Sequence, residues 1–244
     1  MSVSLAKNLS RLGTENAFII LGKAAELTRQ GKNIINLGIG QPDFNTPEHI
    51  VEAAKKALDD GYHGYTPSNG LLPLREAVCK DILKRRKVKV HPDSVIIVPG
   101  GKVTMWHAIL MFGEKGAEIM YPNPGFPIYE SAINYSGAKA VPIKLSGNND
   151  FKINLDEFFN SINKNTKLII LNSPANPTGG VIPTEDLEII AKELINYPHV
   201  AILSDEIYSR IVYKDAAFYS MLKFEHLRDR LIILDGWSKT YAMT

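Results

Sequence analysis

Cysteine is nearly absent from this chain: Cys79 is alone among 244 residues. An internal disulfide needs two, so a disulfide-stapled scaffold is excluded and a reducing compartment fits best. Charge of one sign is lacking too, since 28 Lys and Arg oppose 26 Asp and Glu for a net charge of +2. Such a balance gives no general electrostatic handle on nucleic acid or a membrane surface, and neither partner is expected. The one basic cluster, KRRK at 84–87, reads as a solvated helix end. No apolar run approaches the roughly 20 residues that span a bilayer, and no signal-peptide core opens the chain, so the expected location is cytoplasmic. Cys79, in LREAVCKDIL, falls where a helix face would bury it, which argues against a nucleophilic role.

What is present is the composition of a globular protein with a sizeable core, 45% hydrophobic and 22% charged. Apolar spacing predicts a helix over 14–31 that ends at Gly31, an arm before the main body. The next stretch, NIINLGIGQPDFNTPEH, contains Gly38 and Gly40 but lacks the third glycine of a dinucleotide fingerprint. Thr46-Pro47-Glu48 reads as an N-cap, a first-turn proline and a dipole-matched acid for a helix reaching Gly61. The loop GYHGYTPSNG at 61–70 carries two tyrosines, unusual for a mere connection, so it is functional or lies at an interface. A helix over 73–87 comes next.

From residue 94 onward, short apolar runs alternate with helical segments, the signature of a parallel sheet covered by helices. The runs are 95–98, 119–121, 140–143, 168–171, 200–203 and Leu231–Leu234, with helices predicted over 102–112, 128–135, 155–162 and 184–197. Ligands of such sheets bind beyond the carboxyl ends of the strands. The residues just after each run are therefore informative. PGGK brings Gly101 and Lys102 to a helix start suited to a phosphate, though without P-loop spacing. NPGF brings Phe126, NSPANPTGG brings Asn172 and Asn176, and SDEIY brings Asp205 and Tyr208. The last run delivers Ser238 and Lys239. Each residue alone has a structural explanation, as turn former, helix cap or core aromatic. Gathered on one edge with a lysine, they match the needs of pyridoxal phosphate: an amine for its aldehyde, a carboxylate for its ring nitrogen, donors for its phenolic oxygen, a stacking face and a phosphate cradle.

The stretches GIGQPDF (38–44), YTPSNG (65–70), PGGK (99–102), NSPANPTGG (172–180), SDEIY (204–208) and SKTYAMT (238–244) resemble the class I/II pyridoxal-phosphate-dependent aminotransferases, the aspartate aminotransferase superfamily of fold type I. The resemblance covers essentially the whole chain. It implies an α/β fold, a three-layer, mainly parallel sheet covered by helices, with residues 1–45 as an N-terminal arm of the small domain and 46–244 as a large domain incomplete at its C-terminus. It implies that Lys239 forms the Schiff base and shuttles a proton, that Asp205 pairs with the pyridine nitrogen, and that Tyr208 and Asn176 hydrogen-bond the phenolic oxygen. Phe126 would stack on the ring; Gly101, Lys102 and Ser238 would hold the phosphate, joined by Tyr65 from the other subunit of a homodimer. Gly40 and Asn176 would meet the substrate carboxylate, with arm positions 14–17 bearing on specificity. No metal is implied. The substrates would be an L-amino acid, with a preference for a dicarboxylic one such as aspartate, and a 2-oxo acid. In the family SKTYAMT continues to a Gly-aromatic-Arg motif, an interior antiparallel strand and the small domain. The chain 1–244 is therefore expected to behave as a fragment with little activity. A carbon–sulfur lyase and a catalytically silent cofactor-binding fragment remain the alternatives.

Overall fold

The computed structural model describes residues 3–13, 16–213 and 216–244. After α1 (Asn16–Arg29), α2 (Glu48–Asp59) and α3 (Leu72–Arg86), the chain alternates: α4 (Gly101–Phe112), β1 (Glu118–Asn123), α5 (Ile128–Ser136), β2 (Lys139–Lys144), α6 (Leu155–Asn160), β3 (Thr166–Asn172), α7 (Thr184–Glu193), β4 (Ala201–Asp205), β5 (Leu231–Leu234) and the single turn α8 (Trp237–Thr240). The strands form one five-stranded parallel sheet in the order β2-β1-β3-β4-β5.

The unbroken apolar run of β3 results from its place in the middle of this sheet. Leu168 and Ile170 join the core on the α4–α5 side, while Ile169 and Leu171 join the core against α7, because alternate side chains leave opposite faces. All four are buried. Burial of each such side chain contributes about 1.5–3 kcal/mol, so the layering itself is the main source of stability. On α7 and the turn after it, Leu187, Ile190, Ala191 and Leu194 recur at helical spacing and seal the second core. Glu185 and Asp186 sit in the first turn of α7, where the helix dipole favours them.

Three expectations need correction. Residues 95–98 form no strand: Val95 and Ile97 donate to the carbonyls of Pro92 and Asn69, neither of them in a strand, and Ile96 stays exposed. An apolar run becomes a strand only where a neighbour supplies a ladder, and among the described residues none reaches it. Thr46 does not cap α2. Its hydroxyl donates to the Ala242 carbonyl at 2.8 Å, so it ties the start of α2 to the last residues of the chain. Only part of the KRRK cluster is a solvated end: Lys84 and Lys87 are exposed, but Arg86 is buried and pairs with the carboxylates of Glu206 and Asp235. Cys79 is half-buried, and burial pushes its thiol up, which agrees with an inert role. No helix among the described residues is long and apolar enough to cross a membrane.

Candidate active site

The register of the sheet sets Asn172, Asp205 and Leu234 level with one another at the ends of β3, β4 and β5. Beyond that line the exits are stitched together. Ser173 N donates to Asp205 O at 3.1 Å, and Glu206 N donates to Leu234 O at 2.8 Å. The Asn172 amide donates to the carbonyls of Asp205 (3.1 Å) and Pro174 (3.3 Å), while its oxygen accepts from Asn176 N at 2.9 Å. Asn172 is thus a staple that shapes the turn and holds Asn176 beside the strand ends.

Asp205 lies at the centre, 2% exposed. Its Oδ2 accepts the hydroxyl proton of Tyr129 at 2.6 Å and its Oδ1 accepts from Ile207 N at 3.2 Å. Burial pushes its carboxyl up to about 6, against the pull of those two donors, and the nearby charge of Asp235 adds to the rise. Tyr208, half-buried, is also raised, first by burial and then by the Asp205 charge, which puts its phenol within electrostatic reach of that carboxylate. Phe126 meets the edge of Tyr129 at 6.0 Å between ring centroids, with the planes at 86°. Over the Phe126 ring, at 5.6 Å, lies the Lys102 ammonium, which is also 5.1 Å from the ring of Phe18 on α1.

The first turn of α4 abuts the end of β5: a side-chain carbon added at Gly101 would lie 3.3 Å from Leu234 Cδ2. Gly100 precedes the helix at φ +90 and supplies no side-chain cap, and among the described residues no side chain accepts from the first N–H groups of this 12-residue helix. Lys239 rides on α8, whose entry residue Gly236 lies close to Ile207, 3.1 Å from its Cδ1 to a carbon added there. Lys239 and Ser238 are half-buried, and no ion pair or side-chain hydrogen bond engages the Lys239 amine among the described residues. The segment after it is tied down. Tyr241 N donates to Trp237 O at 3.0 Å, the Tyr241 phenol accepts from Arg210, and Arg210 pairs with Asp81 of α3 at 2.7 Å.

Asp205, Tyr208, Asn176, Phe126, Ser238 and Lys239 lie in the segments at or just after the carboxyl ends of β1, β3, β4 and β5, with Gly101 packed against Leu234 and Lys102 over Phe126. Tyr65 is fully exposed on its loop, and Gly40 is exposed in the segment before α2. Of the arm positions expected to bear on specificity, Thr14 and Glu15 lie outside the described residues. Sequence reasoning misses several site residues. Tyr129 is readable as the inward neighbour of Phe126 about one helical turn on. Glu206 and Asp235 are readable as second acids at strand exits, needing a cation that KRRK could supply. Arg86 reaches Asp235 at 2.6 Å and Glu206 at 3.0 Å, and Arg85 reaches Asp81 at 2.5 Å.

A mostly apolar cavity between the exits of β1 and β3, lined by Pro122, Phe151 and Ile182 among others, is bordered by Asn172 alone of the residues gathered at the strand exits. No cluster of potential metal ligands occurs among the described residues.

Comparison with known proteins bears directly on this geometry. Residues 32–244 match the family aminotransferase class I and II. The chain is 37% identical over 214 residues to an aspartate aminotransferase of Pyrococcus abyssi, covering 87% of this chain and 55% of that protein. It is 42% identical over 210 residues to a probable aspartate aminotransferase of Methanocaldococcus jannaschii, covering 86% and 54%. Its fold superposes on the aspartate aminotransferase of Thermus thermophilus with maleate at a TM-score of 0.93 and 29% identity, over 99% of this chain and 62% of that one. The chain thus spans about half the length of the curated relatives it matches. With the family's pattern matched over most of its length, the chain belongs to the class I and II aminotransferases, enzymes that depend on pyridoxal phosphate.

Proposed function

We propose that this site serves amino-group transfer between an L-amino acid and a 2-oxo acid, with a dicarboxylic substrate such as aspartate preferred. The observation that carries the reading is Asp205, a buried carboxylate at the mouth of the sheet, level with the strand that leads into Lys239. A carboxylate has about four acceptor positions, and Asp205 fills two, with Tyr129 and Ile207. One more donor fits, as a protonated ring nitrogen would supply. The uncapped start of α4 suits the phosphate in the same way.

Bound there, pyridoxal phosphate supplies a reactive aldehyde and a ring that accepts electrons from the substrate Cα. The chain's residues do the rest. Asp205 keeps the ring nitrogen protonated. Lys239 Nζ would hold the cofactor through its aldehyde carbon, and the same Nζ is the base that would accept the proton from the substrate Cα. Tyr208 and the Asn176 amide would donate to the phenolic oxygen, Phe126 would stack on the ring, and Gly101, Lys102 and Ser238 would hold the phosphate. Tyr65, exposed on its loop, joins from a second copy of the chain, and Gly40 N–H and Asn176 take the substrate carboxylate. Residues 1–45 serve as the arm and 46–244 as the large domain. The dicarboxylic preference is supported by the names of the relatives and by Lys102, a cation held at the rim between Phe18 and Phe126.

The test is borohydride reduction of the 244-residue chain incubated with pyridoxal phosphate, then peptide mass mapping. An adduct confined to Lys239 is expected; labelling scattered over the lysines, or none, overturns the reading. Pyruvate release from a cysteine-type substrate without an oxo-acid acceptor would instead identify a carbon–sulfur lyase.

A further inference from the structure

We propose that Tyr129, through its hydroxyl, is the positioning residue that commits Asp205 Oδ2, leaves Oδ1 for the ring nitrogen, and keeps the carboxylate in its charged form. The proposal rests on the reading of Asp205 as the partner of that nitrogen. Tyr129 is 0% exposed within an apolar cluster that includes Ile133 and Leu168, where phenylalanine would fill nearly the same volume. The hydroxyl is what distinguishes the two, and its partner is Asp205, at a distance typical of a bond to a charged oxygen.

The surroundings of Asp205 explain why this bond matters. Facing it are Tyr129 from α5, Ile207 N and Tyr208 from the loop after β4, and Asp235 at the exit of β5. The Asn172 amide from β3 bonds the Asp205 main-chain oxygen and leaves the carboxylate untouched. Arg86 from α3, a cation that reaches the neighbouring acids, is engaged by Glu206 and Asp235. No cation pairs directly with Asp205 among the described residues, so neutral donors hold its charge in a buried place. Of these, Tyr129 makes the short bond and Ile207 N the long one. Tyr129 cannot exchange roles with its partner, because burial and the adjacent carboxylate push its own phenol well above the usual range. It remains a donor across the working pH range, and Asp205 remains the acceptor.

Two measurements on the cofactor-free chain test the bond itself. With tyrosine labelled at 13Cζ, the Tyr129 resonance should move with pH near 6 in the native chain, and that movement should vanish in D205N. With aspartate labelled at 13Cγ, the Asp205 midpoint should move to higher pH in Y129F. A Tyr129 resonance that does not respond between about pH 4 and 8 overturns the proposal without recourse to any variant that might fail to fold. An unshifted Asp205 midpoint in a folded Y129F does the same. In the loaded chain, Y129F should hold pyridoxal phosphate within about threefold of the native affinity at about pH 8.5 and release it at a higher pH than the native chain on acidification. Identical release profiles contradict the proposal. Failure of Lys239 trapping in the native chain would overturn the functional reading alone, since the titrations report the hydrogen bond independently of the cofactor.

Discussion

The guanidinium of Arg86 lies 2.6 Å from the carboxylate of Asp235, and the same nitrogen lies 3.0 Å from Glu206. One buried cation from α3 therefore clamps the exits of β4 and β5, between which the site opens. Glu206 is 1% exposed and also accepts from Ser204, Ser220 and Met221 N. Burial raises its carboxyl despite the Arg86 charge. Replacing Arg86 by methionine leaves that carboxylate without its cation, and breaking a buried pair from one side costs about 3–5 kcal/mol. Denaturant unfolding of R86M, E206Q and the double variant checks this. The double variant should be less destabilised than the sum of the singles; additive losses would show that the two side chains are not coupled.

Asp205 gives the fold a pH dependence of unusual sign. Its folded-state value of about 6 lies above the ordinary 3.8, so between those values the folded chain holds a proton that the unfolded chain has lost. Stability contributed by this group is greatest in acid and falls as pH rises from about 4 to about 6, by roughly 3 kcal/mol from the size of the shift. Asp81 and Glu118, both held below the usual range, act oppositely, losing their contribution as pH falls below the ordinary carboxylate range. Comparing native chain and D205N isolates the aspartate: the stability gained by D205N should be larger at about pH 7.5 than at about pH 4.5. An equal difference at both pH values would contradict the buried-carboxylate account.

The sheet and the main members of the site are legible in the sequence because both are written in short-range patterns. An apolar run, then a turn with a functional residue, is visible for β1, β3, β4 and β5 without any knowledge of what packs where. What is illegible depends on long-range partners. Residues 95–98 carry a strand's composition but lack a ladder, and a ladder is a property of the neighbour. Thr46 has the composition of a cap but bonds Ala242, 196 positions away. Arg86 reads as solvated because its partners Glu206 and Asp235 lie far along the chain. Tyr129 looks like any core aromatic until Asp205 is set opposite its hydroxyl.

Gly70 joins the tyrosine-bearing loop to the extended 95–98 segment, and its backbone requires glycine twice over. Its φ is +94, and a side-chain carbon there would fall 2.6 Å from Ile97 Cγ1 and 2.8 Å from Ile97 Cβ. Gly61 at the other end of the loop has φ +84 but open space around it. G61A should therefore cost only backbone strain, about 1–3 kcal/mol, whereas G70A should cost distinctly more because Ile97 must move as well. Thermal unfolding of both variants, and of G70A with I97A, checks the order. The second substitution should recover part of the G70A loss, and no recovery would mean that strain alone is responsible.

The lysine-bearing end of the chain is held by charge rather than by core packing. Asp81 accepts from Arg210, whose guanidinium lies 5.2 Å from the Tyr241 ring centroid and donates to its hydroxyl. Burial opposes ionisation of Asp81, but the bonds from Arg85 and Arg210 outweigh it and hold its carboxyl low. These groups are partly exposed, so D81N should lower global stability by no more than about 1 kcal/mol. The local effect should be clearer. The amides of Tyr241 and Met243 both donate to the Trp237 carbonyl, and with Arg210 released the turn that carries Lys239 should open more often. Hydrogen exchange at those two amides should quicken about fivefold in D81N while amides in β3 stay unchanged, and addition of salt should narrow the gap by loosening the native pair. Unchanged exchange at Tyr241 would mean that the turn is held by its own backbone bonds, and that the Asp81–Arg210 pair has no part in holding Lys239 in place.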